Sequence, residues 1–213
     1  MIFNKSGEAL QSKGDNNGAG IYKKIYTVRE FYTILYEGVR TMKYMIKAKK
    51  KKELSPEFIE RIMLGVTEVN GCEVCSYAHT KMALEQGMAA EEIKQLLAGS
   101  VDEIPVEEMP AYLFAQHYAD RRGYPTEESW DRIVALYGED KAKGILGAIR
   151  AIMVGNAHGI AFSAFLSRLK GKAVKKSSLL YEITMMLSII VYLPLTLIHA
   201  LIDGLFKKPV ISF

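Results

Sequence analysis

The chain has almost no cysteine. Two of its 213 residues are Cys, and they stand three apart, at Cys72 and Cys75. A pair that close cannot staple a domain, so a disulfide scaffold is excluded. Strand signals are missing as well. No stretch alternates apolar and polar residues convincingly, which points to an all-α fold. The first twenty residues are polar and rich in Gly, Asn and Lys, with neither an apolar run nor a cleavage pattern. No export signal is expected there, and the protein is assigned to the cytoplasm. Its basic runs, Lys47 with Lys49 to Lys52 and Arg168 through Lys176, have no interleaved aromatics. Nucleic acid is therefore not an expected partner. A lysine run reads as a solvated helix end or, more sharply, as contact with anionic lipid.

What is present is helical punctuation. Residues 1 to about 20 are expected to be disordered or loosely attached. From Tyr22 to Lys47 apolar residues recur at helical spacing (Ile25, Val28, Phe31, Ile34, Leu35, Val39, Met42). Ser55-Pro56-Glu57 is a helix start, with a capping serine, proline in the first turn and an acid at the positive end. That helix breaks at Asn70-Gly71. The next runs to about Gln86 and is stopped by Gly87, and a short one from Ala89 to Leu97 is stopped by Gly99. Val106 to Arg122 follows, then a helix capped by Thr126 and ended by Gly138. Glu139 to Leu169 reads as one or two helices, with a break expected at Gly155-Asn156. Phe58 to Gly87 and Ala142 to Gly171 look distantly alike, which raises an internal duplication. A helical domain over 21–172 and a basic linker with an apolar tail over 173–213 are the expected units.

The two cysteines carry the chemistry. On a helix, Cys72, Cys75 and His79 share one face. Cys72 falls in the first turn, where free N–H groups and the helix dipole stabilise a thiolate. The imidazole, one turn after Cys75, can take that thiol's proton. Glu60, twelve residues before Cys72, could orient the imidazole or pass the proton on, provided the two helices pack side by side. A peroxide would oxidise one thiolate to a sulfenic acid, and the neighbouring thiol would condense with it to a disulfide. A zinc site using Cys72, Cys75 and His79 is a competing use of the same residues, although no second Cys/His pair stands at the usual distance. A pair of buried thiols with only a packing role is the blander alternative, and with either use the chain would be a zinc-binding or scaffold helical protein without turnover. His158 sits at the expected break, where it could line the same cavity or serve as a satisfied core or capping residue. His117 is assigned nothing.

The segment from Glu60 to Gly99 resembles the alkylhydroperoxidase D-like and carboxymuconolactone decarboxylase superfamily. The residues that carry the resemblance are Glu60, Asn70-Gly71-Cys72-Glu73-Val74-Cys75, His79, Gly87 and Glu91-Glu92-Ile93-Lys94-Gln95-Leu96-Leu97-Ala98-Gly99. The resemblance implies an all-α bundle of the alkylhydroperoxidase D-like type that assembles as a homo-oligomer and uses no cofactor and no metal. It implies a thiol oxidoreductase acting on a hydroperoxide or a disulfide and regenerated by a thiol reductant or a peroxiredoxin-like redox partner. By the same resemblance Cys75 is the peroxidatic thiol, Cys72 the resolving and partner-facing one, and His79 with Glu60 the proton relay. Where the well-studied peroxidase has a second histidine before the later cysteine, this chain has Val74, which leaves a general thiol–disulfide role open. The superfamily's decarboxylases generally lack the cysteine pair, which disfavours the lactone reaction but leaves a cofactor-free lyase or isomerase, with Glu60 and His79 as acid and base, as an alternative.

Charge is absent from one more place. Between Glu182 and Asp203 no residue is formally charged. At helical rise these twenty residues span about 30 Å, one hydrocarbon thickness. Thr184, Ser188, Tyr192, Thr196 and His199 form a polar stripe, and the opposite side is aliphatic. Pro194 is expected to kink or split the helix. The segment is expected to cross, enter or lie on a membrane, or else to serve an oligomer contact.

Overall fold

A computed structural model of the chain describes residues 2–3, 9–10, 23–211 and 213. Among them are eight helices: α1 Val28–Lys50, α2 Pro56–Asn70, α3 Glu73–Glu85, α4 Ala90–Leu97, α5 Met109–Asp120, α6 Glu127–Tyr137, α7 Glu139–Leu169 and α8 Leu179–Leu205. Two short strands, β1 Ile2–Phe3 and β2 Ala9–Leu10, pair antiparallel ahead of them. Most of the N-terminal stretch expected to be loosely attached lies outside the described residues.

Local chemistry sets most helix ends. Thr27 and Glu30 form a reciprocal capping box at the start of α1, satisfying two otherwise orphaned N–H groups. Ser55 caps α2 through the Phe58 N–H at 3.0 Å, with Pro56 in the first turn. Gly71 ends α2 in the left-handed conformation, φ 72°, which favours glycine. Thr126 caps α6 and Ser178 caps α8.

α1 and α7 form the spine, antiparallel and in close contact. Their approach depends on residues without side-chain bulk. A Cβ on Gly144 would stand 2.6 Å from the Ala48 Cβ, one on Gly147 would stand 2.8 Å from the Thr41 carbonyl oxygen, and one on Gly38 would stand 2.7 Å from Val154. The main core fills the space between this pair and α2, α3, α5 and α6, around Phe31, Ile62, Ile145, Ile149 and Ile160. A smaller core of Leu64, Ala83, Met88, Ile93, Leu96, Ile104 and Tyr112 holds α2 to α5 together. Arg150 is buried in the spine but fully engaged. It donates to the Tyr118 hydroxyl at 2.8 Å and the Val210 carbonyl at 2.8 Å, and pairs with Glu37 at 3.0 Å.

Three expectations need correction. α7 is one continuous helix through Gly155-Asn156, because tertiary packing overrides the breaker residues. Asn156 is fully buried and its side-chain oxygen accepts from the Thr67 hydroxyl at 3.2 Å. With no break in α7, Ala142 to Gly171 is not a helical hairpin like α2–α3, so the two stretches do not share a fold. α8 likewise runs unbroken through Pro194, whose ring is exposed. The helix is therefore not split there; it forgoes the one backbone bond that Pro194 cannot donate, and the outward-facing ring meets no packed neighbour. Two helix boundaries also shift: α1 begins at Val28 rather than Tyr22, and α5 covers only Met109–Asp120 of the expected 106–122.

α8 runs parallel to α1 and antiparallel to α7. Tyr181 donates to the Tyr26 carbonyl, Tyr192 packs on Phe31 and Tyr32, His199 stacks on Tyr36 at 4.2 Å, and Arg40 reaches the Lys208 carbonyl. α7 and α8 are both long and apolar enough to cross a membrane by length and composition.

Candidate functional site

The site is built on the α2–α3 turn. Asn70, the last residue of α2, is fully buried and fixes that turn. Its side-chain oxygen accepts from the Tyr26 hydroxyl at 2.7 Å, its amide donates to the Met153 sulfur at 3.3 Å, and its carbonyl accepts from the Lys24 N–H at 3.2 Å. Gly71 then reverses the chain, and Cys72 becomes the N-cap of α3. The Cys72 Sγ accepts the Cys75 backbone N–H at 3.3 Å, and the Ser76 hydroxyl donates to the Cys72 carbonyl at 2.9 Å. A sulfur in the N-cap position faces the unpaired N–H groups and the positive end of the helix dipole, which favour its anionic form.

Cys72 and Cys75 are joined as a disulfide, with Cα atoms 5.3 Å apart. Cys72 is fully buried and Cys75 is 7% exposed. His79, one turn further on, receives Glu60 from α2. Its Nδ1 stands 2.8 Å from the Glu60 Oε2, with both side chains largely buried. A neutral imidazole bonded to a carboxylate through Nδ1–H keeps Nε2 as the basic nitrogen. The structure thus brings Glu60, Cys72, Cys75 and His79 onto the facing sides of two adjacent helices. Among the described residues, no three of His, Cys, Asp and Glu gather in a way that could hold a metal ion. The two sulfurs are turned toward each other.

α7 closes the site from behind, through a residue that sequence inspection passed over. A Cβ on Gly159 would lie 2.8 Å from the Cys75 Sγ, 2.9 Å from the Cys72 Sγ and 3.0 Å from Val74. Only glycine leaves room for both sulfurs there. The signal was present as Gly155-Asn156-Ala157-His158-Gly159, which reads as a helix breaker until α3 is seen to lie against it. His158 stands in mid-helix, not at a break. Its ring packs on Phe31 with centroids 5.8 Å apart, and its Nε2 lies 3.5 Å from the Met186 carbonyl of α8. It fills space between α1 and α8. His117 lies on α5, away from these groups.

α3 is packed on one side only. Of its thirteen residues only Cys75 and Ala83 are buried, and Tyr77, Met82 and Leu84 are exposed. The disulfide therefore sits on a helix whose outer face is exposed.

No curated protein and no solved structure matches the chain. Residues 35–113 match the family model of the carboxymuconolactone decarboxylase family, a stretch that runs from α1 into α5, holds all four site residues and stops short of α7 and α8. Over these residues, which include the cysteine motif, the chain is similar to the carboxymuconolactone decarboxylase family.

Proposed function

We propose that the protein is a thiol-dependent oxidoreductase that reduces a hydroperoxide or exchanges disulfides through Cys72 and Cys75. One observation carries this: a cysteine pair within bonding distance at a helix N-terminus, one turn from a histidine oriented by a buried glutamate. The Cys75 thiol, the less buried of the two, passes its proton to the His79–Glu60 pair. The thiolate attacks the distal oxygen of ROOH. The O–O bond breaks, RO⁻ takes the proton as ROH, and Cys75 becomes a sulfenic acid. Cys72 attacks that sulfur, and its thiol proton leaves with the hydroxyl as water. The dithiol has then given two electrons to the peroxide. A reduced dithiol partner restores the pair by the reverse exchange. Homo-oligomer formation beside the site suits the open outer face of α3. The domain is cytoplasm-facing and attached to a membrane through α8.

Alkylation with mass spectrometry on the peroxide-treated protein tests the chemistry. Wild type should lose both free thiols, Cys72→Ser should stop at a sulfenic acid on Cys75, and Cys75→Ser should not react. His79→Ala and Glu60→Gln should slow the reaction by about two to four orders of magnitude with helix content intact. Thiols that stay free in the folded protein overturn the proposal, and a stoichiometric zinc protecting them would assign the residues to metal binding. The family's name favours one other chemistry, a cofactor-free lyase with Glu60 and His79 as acid and base. It would survive in the Cys72→Ser/Cys75→Ser double variant, where the redox activity cannot.

A further inference from the structure

We infer that α8 attaches the protein to an anionic membrane by lying in the plane of the surface, in one leaflet, and does not cross the bilayer. The inference rests on the membrane attachment proposed above and is independent of the thiol chemistry.

The first observation is the inverted polarity of α8. Its inward side carries Glu182, Ser188, Thr196 and Asp203, all buried, with Tyr192 and His199 half-buried between them. Its outward side, apart from Thr184, Pro194 and Gly204, is Leu, Ile and Val from Leu179 to Leu205, and Phe206 continues it. Ile190, Val191, Ile198 and Leu201 are each more than half exposed. A helix that spends its polar residues on its own protein and turns its aliphatic side outward is matched to an apolar environment.

The second observation sets the orientation. α8 is bound to the body along its whole length. Arg168 grips Glu182 with two bonds of 2.8 Å at one end, Asp203 accepts from Tyr36 and pairs with Lys208 at 2.8 Å at the other, and the ring contacts to α1 lie between. If α8 crossed a bilayer in this arrangement, α1 would cross beside it. α1 carries Arg29, Glu30, Glu37, Arg40, Lys43 and Lys47, a set that hydrocarbon does not accept. Laid flat, α8 sinks its aliphatic side below the headgroups and leaves α1 in water.

The third observation selects the lipid. From residue 170 to 211 the lysines at 170, 172, 175, 176, 207 and 208 are all exposed, and the only two acids, Glu182 and Asp203, are turned inward. Within this segment the exposed charge is therefore positive, from Lys170, Lys172, Lys175 and Lys176 at one end of the aliphatic strip and from Lys207 at the other, where Lys208 is paired with Asp203. Beside the strip's C-terminal end lies a groove of about 790 Å³ lined by Leu197 and Leu201, by Arg40, Lys43, Lys143, Lys207 and Lys208, and by the two acids Asp131 and Glu139, so that bases outnumber acids where the aliphatic strip meets it. A second copy fits less well. An antiparallel pair of α8 helices sets Lys175 and Lys176 against Lys207 and Lys208 of the other copy, and a parallel pair sets each cluster against itself.

Full-length protein is mixed with vesicles of phosphatidylcholine and phosphatidylglycerol in equal parts, or of phosphatidylcholine alone, and floated on a density gradient. Binding to the mixed vesicles is expected, weaker by about tenfold or more on phosphatidylcholine alone and in high salt. Ile190→Glu/Leu201→Glu should abolish it without loss of helix content or thiol reactivity. Depth is then read in a Trp130→Phe background by placing Trp at Ile183, Ile190 or Leu197 and quenching with brominated lipids. In-plane binding gives one shallow depth at all three positions. A deep maximum at position 190 keeps attachment and overturns the orientation. Absence of flotation, with a discrete soluble oligomer by ultracentrifugation, overturns attachment itself and assigns the face to a second copy.

Discussion

α7 and α8 are two long apolar helices with opposite solutions to the same composition. In its most apolar stretch α7 buries 72% of its residues, and α8 buries 17%. α7 turns aliphatic and small residues inward on every side, and its glycines admit the backbone of α1 and the sulfurs of α3. α8 turns its polar residues inward and leaves its aliphatic side uncovered. The difference teaches that hydropathy alone does not assign a helix to a core. What separates the two is where the polar atoms find partners, since buried polar groups are expensive unless paired. On α7 Arg150 and the side-chain oxygen of Asn156 hydrogen-bond to the body, the Asn156 amide nitrogen finding no partner among the described residues, and the aliphatic residues join them there. On α8 Glu182 and Asp203 hydrogen-bond to the body, and the aliphatic residues are left for something else.

The sharpest way to break the comparison is to make the same truncation on both helices. Ile149→Ala, in the fully buried part of α7, should cost about 2 to 5 kcal/mol by lost burial and a residual cavity. Ile190→Ala, 69% exposed on α8, should change stability by less than about 0.5 kcal/mol in the absence of vesicles. Urea unfolding followed by circular dichroism reads both. A cost at Ile190 comparable to that at Ile149 would mean that a second copy already covers α8 in solution.

A glycine pair gives a smaller effect of the same kind. In Gly147→Ala the new methyl meets the Thr41 carbonyl oxygen at 2.8 Å and the Met45 Cβ at 2.9 Å. Because one of these is backbone, α1 and α7 must move apart, at about 1 to 3 kcal/mol. In Gly204→Ala on α8 the methyl meets nothing within 4 Å, and the better helix propensity of alanine should stabilise by up to about 1 kcal/mol. Opposite signs in thermal unfolding are the expected result, and matching signs would contradict the packing described for one helix or the other.

Much of this was legible in the chain. The caps at Ser55-Pro56 and Thr126, the turn at Asn70-Gly71 and the helical spacing of Cys72, Cys75 and His79 are local signals, and local hydrogen bonds enforce them. The aliphatic side of α8 was legible for the same reason, as a pattern within one helix. What could not be read depends on contacts between distant segments. Gly155 to Gly159 carries breaker residues, yet α7 passes straight through them, because Thr67 partners Asn156 and the two sulfurs occupy the space a side chain at Gly159 would need. Glu182 and Asp203 read as the boundary of an uncharged run. Their role as the anchors of α8 depends on Arg168, Tyr36 and Lys208, which only the fold brings to them.

The smallest effect, and the most specific to α8, should appear with acid. Two hydrogen bonds from Arg168, with the Ser177 hydroxyl adding to them, hold the Glu182 carboxyl below its ordinary value of 4.5. Lys208 and then Tyr36 hold Asp203 below its ordinary 3.8. A carboxyl depressed in the folded state binds fewer protons there than in the unfolded chain. Its contribution is therefore complete above the ordinary value and is lost as pH falls through the depressed one. Both anchors of α8 should weaken together below about pH 4. α7 is held chiefly by apolar contacts and by the hydrogen bonds of the buried Arg150. Limited pepsin digestion across that range should cut first between Lys170 and Ser178, releasing α8 while the α1–α7 spine stays protected. Glu182→Gln weakens the pair with Arg168 at every pH and should make the same cut appear at a higher pH. If the cut instead appears only when the whole protein unfolds, α8 is part of the cooperative core, and the contrast between the two helices lies in their surfaces and not in how they are held.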